Sequence, residues 1–197
     1  MLLAAAAIHD IGHKGESNII DRKYYSGKTE LRSFDYAYPY LKAAGFYKSM
    51  LEDIRIMLHT TDASPFGDPI SPSNQMRAAY EYHYGTSDSE EDLVLSDDLK
   101  ILESREKLCL MCLILHEADI MNSSGVSYDV TKRESVSIAR EIGMSNAMPE
   151  DTLLFLTLIC GRGMVSDAAK FLAGTNFSNI YDDVLQDFRN GNKPYKA

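Results

Sequence analysis

Runs of lysine or arginine are absent from this 197-residue chain, strand-like alternation of polar and apolar residues is nearly absent, and cysteine occurs only three times. Each scarcity removes a class of function. A protein that binds a nucleic-acid polymer displaces counterions with a basic stripe. With 20 lysines and arginines against 29 aspartates and glutamates, and a net charge of -9, this chain presents the opposite field. A small anionic substrate remains compatible, provided a bound cation offsets the repulsion between its phosphate and the carboxylates of the site. An odd, small number of cysteines makes no disulfide framework and fits a reducing cytoplasm. Cys109 and Cys112 fall in an apolar helical run with no second pair, so they read as small buried hydrophobes rather than redox or zinc groups. The opening MLLAAAAI is apolar for only eight residues before His9. A bilayer span needs about 20, so this segment reads as a core helix and no membrane is expected.

What the chain has instead is helical spacing. At 45% hydrophobic it can bury one sizeable core, and a single domain over 1–197 is expected. Residues 2–12 are Ala- and Leu-rich, with Gly12 and Gly15 ending that helix. Ser33 is placed as the cap of a helix running to Ala44 and closed by Gly45, and a further helix from Lys48 to Thr61 carries Met50, Ile54, Met57 and Leu58. Ser64–Ser73 reads as a loop and Asn74–Tyr84 as a helix. The acidic stretch 86–98 reads as a mobile surface loop anchored by Leu93, Val94 and Leu95. Ser104–Met121 is apolar nearly all round and belongs at the centre of a bundle. Ser127–Ile142 follows, stopped by Gly143; Pro149 opens a helix to Cys160, and Ser166 and Ser178 are plausible caps for two last helices. The expected fold is all-α, a compact multi-helix bundle of eight to ten helices with its chemistry held between helices in the core.

That chemistry starts at His9 and Asp10, side by side in AAIHDIGHKG, with His13 one helical turn on and Asp119 far downstream in LILHEADIMN. A neutral imidazole suits a borderline metal, and the carboxylate of Asp10 is small, charged and able to bridge two cations. Two carboxylates about 4 Å apart repel by roughly 4 kcal/mol at an effective dielectric near 20, so convergence of Asp10 and Asp119 would imply a metal. Taken singly, each has a bland reading: a hydrogen-bonded core histidine, a helix-end capping group, half of an ion pair. HEAD at 116–119 looks like the start of the metalloprotease H-E-x-x-H, but position 120 is isoleucine, so that reading fails. His59 and His83 have no partner in the sequence and read as structural.

The set also matches an ordered pattern. HDIGHKGESN, residues 9–18, resembles the H-D-x-x-H-P-G-x-x-N signature of the HD-domain phosphohydrolases, and within them the class I cyclic nucleotide phosphodiesterases. LHTTDAS, 58–64, resembles that family's A-T-D-M-S segment, and LHEADIMN, 115–122, its A-D-L-S-N-P segment. The resemblance covers about residues 1–125. It implies an HD-type helical bundle in which His9, Asp10 and Asp119 ligate a first metal, zinc, iron or manganese. Asp10 would bridge to a second, magnesium or manganese, mostly held by water. A hydroxide bridging the two would attack phosphorus, making Asp10, His13 and Asp119 the catalytic group. Asn18, Asp62, His116 and Asn122 would support metal or substrate from an outer shell, Asp62 through the metal waters or His13, and Lys14 could reach a substrate phosphate. The implied substrate is a small phosphorylated nucleotide.

Departures from the pattern set the alternative. The family's upstream H-N-x-x-H helix, which supplies a further ligand and the leaving-group acid, has no counterpart here. The expected reason is truncation at the N-terminus, with a catalytically weak or inactive HD-like module, binding a ligand or partner without turnover, as the other reading. Glu30 is a weak match to the acid that orients the missing histidine. The glutamine that orients the purine in the phosphodiesterases is not found between Phe155 and Phe171, and Gln186 lies too far on. Which nucleotide is therefore open.

Overall fold

The computed structural model describes residues 1–85, 93–141, 143–161 and 163–195. The fold is all-α and 63% helical, with eight α-helices and almost no strand among the described residues. It divides into two units, Met1–His116 and Glu117–Ala197.

In the first unit, α1 (Leu2–Ile8) packs on α2 (Lys28–Ala43) and α3 (Lys48–His59), which also pack on each other. The periodicity read along α3 is the cause. Ile54, Met57 and Leu58 are buried as that spacing requires, with Leu51 and Ile56 beside them, while Met50 is only partly buried. α4 (Pro72–Tyr84) begins two residues earlier than expected, because Ser71 accepts from the Asn74 amide and Pro72 occupies the first turn, where its missing N–H costs nothing. A short 3₁₀ turn, η1 (Lys100–Glu103), leads into α5 (Glu106–Ser124). Arg105, between them, forks onto the buried carboxylate of Asp53 on α3. Cys109 and Cys112 are fully buried on α5, and burial pushes both thiols up to about 12, so they are packing groups as expected.

Two expectations in this unit are corrected. Ser33 is not a cap: α2 starts at Lys28, and Ser33 is buried inside it, its Oγ accepting from the Gly12 amide at 3.1 Å. The residue before the helix is Gly27 in the left-handed region, φ 62°, and the first amides of α2 are satisfied by side chains distant in sequence. Asn18 Oδ1 accepts from the Thr29 amide at 2.9 Å, and Asp62 Oδ2 from the Gly27 amide at 2.8 Å. Part of the expected acidic loop, 86–92, lies outside the described residues. In the rest of it Val94 is no anchor, being 83% exposed; Leu93 and Leu95 are partly buried, and the hold comes from fully buried Leu99 and from the Ser96 amide on Gln75 Oε1 at 2.6 Å.

A small hairpin also went unread: β1 (Ile19–Ile20) pairs antiparallel with β2 (Lys23–Tyr24). Its two turn residues, Asp21 and Arg22, both take positive φ, as a two-residue hairpin loop requires. Asp-Arg is not the Asn-Gly or Asp-Gly pair that signals such a turn.

In the second unit, α6 (Tyr128–Glu141) and α7 (Pro149–Leu158) pack on α8 (Asp167–Arg189) around Ile120, Leu156, Cys160, Ile180 and Val184. Ser166 caps α8, accepting from the Ala169 amide at 3.1 Å. Ser178 does not begin a further helix. It lies inside α8 with its hydroxyl on the Gly174 carbonyl, because the inward stripe Ala169, Ala173, Phe177, Ile180, Val184 runs past it unbroken. The start of α8 is pinned by Glu117, whose buried carboxylate accepts from the amides of Val165 and Ser166 and from the Ser166 hydroxyl. No helix among the described residues is long and apolar enough to cross a membrane.

The start of α2 yields a stability prediction. A Cβ at Gly27 would lie 2.2 Å from His59 Cδ2, on a backbone that disfavours side chains. Gly27→Ala is therefore expected to cost about 2–4 kcal/mol, read as a lowered denaturant midpoint. An unchanged midpoint would show that the α2 start relaxes freely.

Candidate metal centre

His9 is the residue on which α1 ends, still in helical geometry, and Asp10 follows in the turn. The ring of His9 is held by its Nδ1, 2.8 Å from the carbonyl of Ala6. A carbonyl can only accept, so Nδ1 carries the proton and Nε2 is left as the side of the ring that can offer a lone pair. Nε2 lies 3.1 Å from Asp10 Oδ2; it donates to that carboxylate while it carries a proton of its own, and offers its lone pair only where a metal ion takes that proton's place. That hydrogen bond from His9, and the nearby charges of His9 and His13, hold the Asp10 carboxyl below its usual range against the opposing effect of burial.

One ligand atom from each of His9, Asp10 and Asp119 lies within 4.8 Å of the others, the group found among the described residues with the chemistry to hold a metal ion. His9 is half-buried, and Asp10 and Asp119 are exposed. The expectation of chemistry enclosed in a core is thus corrected: the carboxylates stand open to solvent. Two carboxylates within that separation repel by about 3.5 kcal/mol or more at an effective dielectric near 20, and by less where water screens them. The donor set is one imidazole nitrogen and two carboxylate oxygens. Such a set suits zinc, iron or manganese and leaves coordination positions for water or substrate.

The remaining sequence candidates divide into three places. His13 and Lys14 are exposed on the turn after α1, where the His13 amide donates to the Asp10 carbonyl at 3.0 Å and the Gly15 amide to His13 Nδ1 at 3.2 Å. Asn122 is exposed on α5, three residues after Asp119. Asn18 and Asp62 are buried together in a polar network around the hairpin and the first turn of α2. Asn18 donates to Glu30 at 2.8 Å and accepts from the amide and hydroxyl of Thr29. Asp62 accepts from the Tyr24 hydroxyl at 2.9 Å and from the amides of Gly27 and Ser64, each at 2.8 Å. Burial and the neighbouring charge of Asp62 push Glu30 above its usual value, while the Asn18 bond opposes them. Burial likewise raises Tyr24.

Tyr24, Ser26 and His59 join this network although no motif in the sequence marks them. Ser26 Oγ lies 2.8 Å from His59 Nε2, and burial lowers His59. The available signal was the polar composition of YYSGKTE, which carries no periodicity to aim it. His83 is structural, bonded through Nε2 to the Leu102 carbonyl at 2.7 Å.

Comparison with known proteins returns no matching family model, no matching curated protein and no matching solved structure. The likeness to the HD-domain enzymes therefore rests on the residues of the motifs alone.

His116 stands apart from these groups. It is fully buried on α5, neither ring nitrogen has a hydrogen-bond partner among the described residues, and burial together with the charge of Arg77 pushes it down to about 3. The unfolded chain, with an ordinary histidine, takes up a proton first as pH falls below about 6.5, so folding loses stability from there toward pH 3. Between pH 7.5 and 5 the loss through this one group is about 2 kcal/mol. His116→Leu should remove that part of the acid sensitivity, seen as a flatter stability curve in denaturant titrations across this range. An identical pH slope in both proteins would rule the assignment out.

Proposed function

We propose that this chain is a metal-dependent phosphohydrolase of the HD type, acting on a phosphodiester of a small nucleotide of the 3′,5′-cyclic kind. The observation that carries the reading is the convergence of a histidine nitrogen and two carboxylate oxygens, from the two motifs that match the family best, to within 4.8 Å. The fit to a metal is chemical. His9 has its Nδ1 proton engaged by the Ala6 carbonyl, which presents Nε2 as a ligand, and Asp10 is held ionised. His9, Asp10 and Asp119 would hold the ion. When bound, a divalent cation or a pair of them supplies Lewis acidity to phosphoryl oxygens and lowers the pKa of water.

The chain's own residues then bind and orient. Asp10 and Asp119 are exposed, so a phosphate ester meets them without any opening of the fold. Lys14, exposed four residues after Asp10, offers a cation to a substrate oxygen, and His13 beside it offers a ring to hold a proton. Asn18 and Asp62 act at a remove, fixing the hairpin and the start of α2 that follow the ligand-bearing turn. The rival reading, binding without turnover, draws on the size of the ligand set: three residues and no more among those described.

Elemental analysis of the purified protein and hydrolysis of bis(p-nitrophenyl) phosphate and cyclic nucleotides with added zinc, manganese or magnesium separate the two. Retained metal and metal-dependent product are expected, and Asp10→Asn or Asp119→Asn should lower both, the rate on the order of 100-fold. Nucleotide binding by calorimetry with no product would favour the binding module. Protein that neither retains metal nor hydrolyses any of these esters would end the enzyme reading.

A further inference from the structure

The second unit contains a cavity of about 600 Å³, formed where the C-terminal part of α6 and residues 144–147 face residues 193–195. Its walls are held by defined hydrogen bonds. The Tyr195 amide donates to the Ala147 carbonyl at 2.9 Å, and Asn192 both accepts from the Glu150 amide at 3.0 Å and donates to the Glu150 carboxylate at 3.2 Å. The volume lies within the range of small-molecule sites.

The lining has two chemical parts. Val136, Ala139 and Met144 give an apolar wall, while Arg140 and Lys193 bring two positive charges, and no carboxylate is among the described lining residues. In a chain carrying 29 acidic residues against 20 basic ones, that local excess of positive charge is unusual. It is also unspent. Elsewhere in the unit Lys132 pairs with Asp129, Arg133 with Glu134 and Lys170 with Asp167, whereas Arg140 and Lys193 form no ion pair with any described residue. Ser145 and Asn146 add hydrogen-bonding groups at the same wall.

We infer that this cavity binds a small organic anion, its acidic head group between Arg140 and Lys193 and its apolar body against Val136, Ala139 and Met144. A guanidinium and an ammonium together give charge-assisted bonds to a carboxylate or a phosphate, and the apolar wall selects against inorganic ions. The site is separate in residues from His9, Asp10 and Asp119 and does not depend on a metal.

Anilinonaphthalene sulfonate, an aromatic anion that fluoresces when desolvated, is a suitable probe, with N-phenylnaphthylamine as its uncharged counterpart. The full chain is expected to bind the anion saturably at one site, with affinity falling as salt is raised. Arg140→Gln with Lys193→Gln should weaken binding about tenfold or more, Lys193→Gln alone by less, and Lys170→Gln not at all. Lys193 is exposed in the tail, so the single variant keeps the test open if the double variant folds poorly. Asp10→Asn should bind the probe as the parent does. Displacement by phenyl phosphate or by a medium-chain carboxylate identifies the preferred head group. Equal binding by the glutamine variants, equal binding of the uncharged counterpart, or displacement by neither competitor would overturn the inference.

Discussion

The carboxylate of Asp62 is the tie on which the front of the first unit depends. It stands just beyond the end of α3, is almost wholly buried, and takes the Gly27 amide, the Tyr24 hydroxyl and the Ser64 amide. Through those bonds the end of α3, the hairpin and the start of α2 are held as one piece. A buried carboxylate is costly unless its lone pairs are satisfied, and here they are satisfied by the donors that α2 and the loop after Asp62 would otherwise leave unpaired. Asn18 does the same for Thr29 two residues further in, and donates its amide to Glu30.

That arrangement changes what the outer residues of the family-like motif mean. Asn18 and Asp62 were expected to support metal and substrate. Their bonds go to backbone and hydroxyl donors of the hairpin and α2, so what they hold in place is the chain that follows the His9–Asp10 turn. The Gly12 amide on Ser33 is a second hold on the same turn. His9, by contrast, is half-buried with its Nδ1 on the Ala6 carbonyl, and Asp10 and Asp119 are exposed.

The second unit solves a similar problem by other means. Glu117 occupies the position at the head of α8 where a free anion would bind, so that helix start is closed by the protein's own carboxylate. Positive charge is left over only elsewhere, and Arg140 and Lys193 share one cavity.

Much was legible in the residues themselves. The helical class, the bodies of α3 to α7 and the burial of the cysteines all follow from spacing and side-chain chemistry, which are local, and the motif is what singled out His9, Asp10 and Asp119 as one group. What spacing could not convey was decided by tertiary partners. The start of α2 at Gly27 instead of Ser33 depends on acceptors 11 and 35 residues away. The hairpin turn at Asp21 and Arg22 lacks the residues that announce positive φ, and α8 runs through Ser178 because its buried stripe continues there. Local preference sets where a helix can form; only the donors and acceptors brought in by the fold decide where it starts, and only the fold decides that Asp10 and Asp119 stand in solvent instead of in the core.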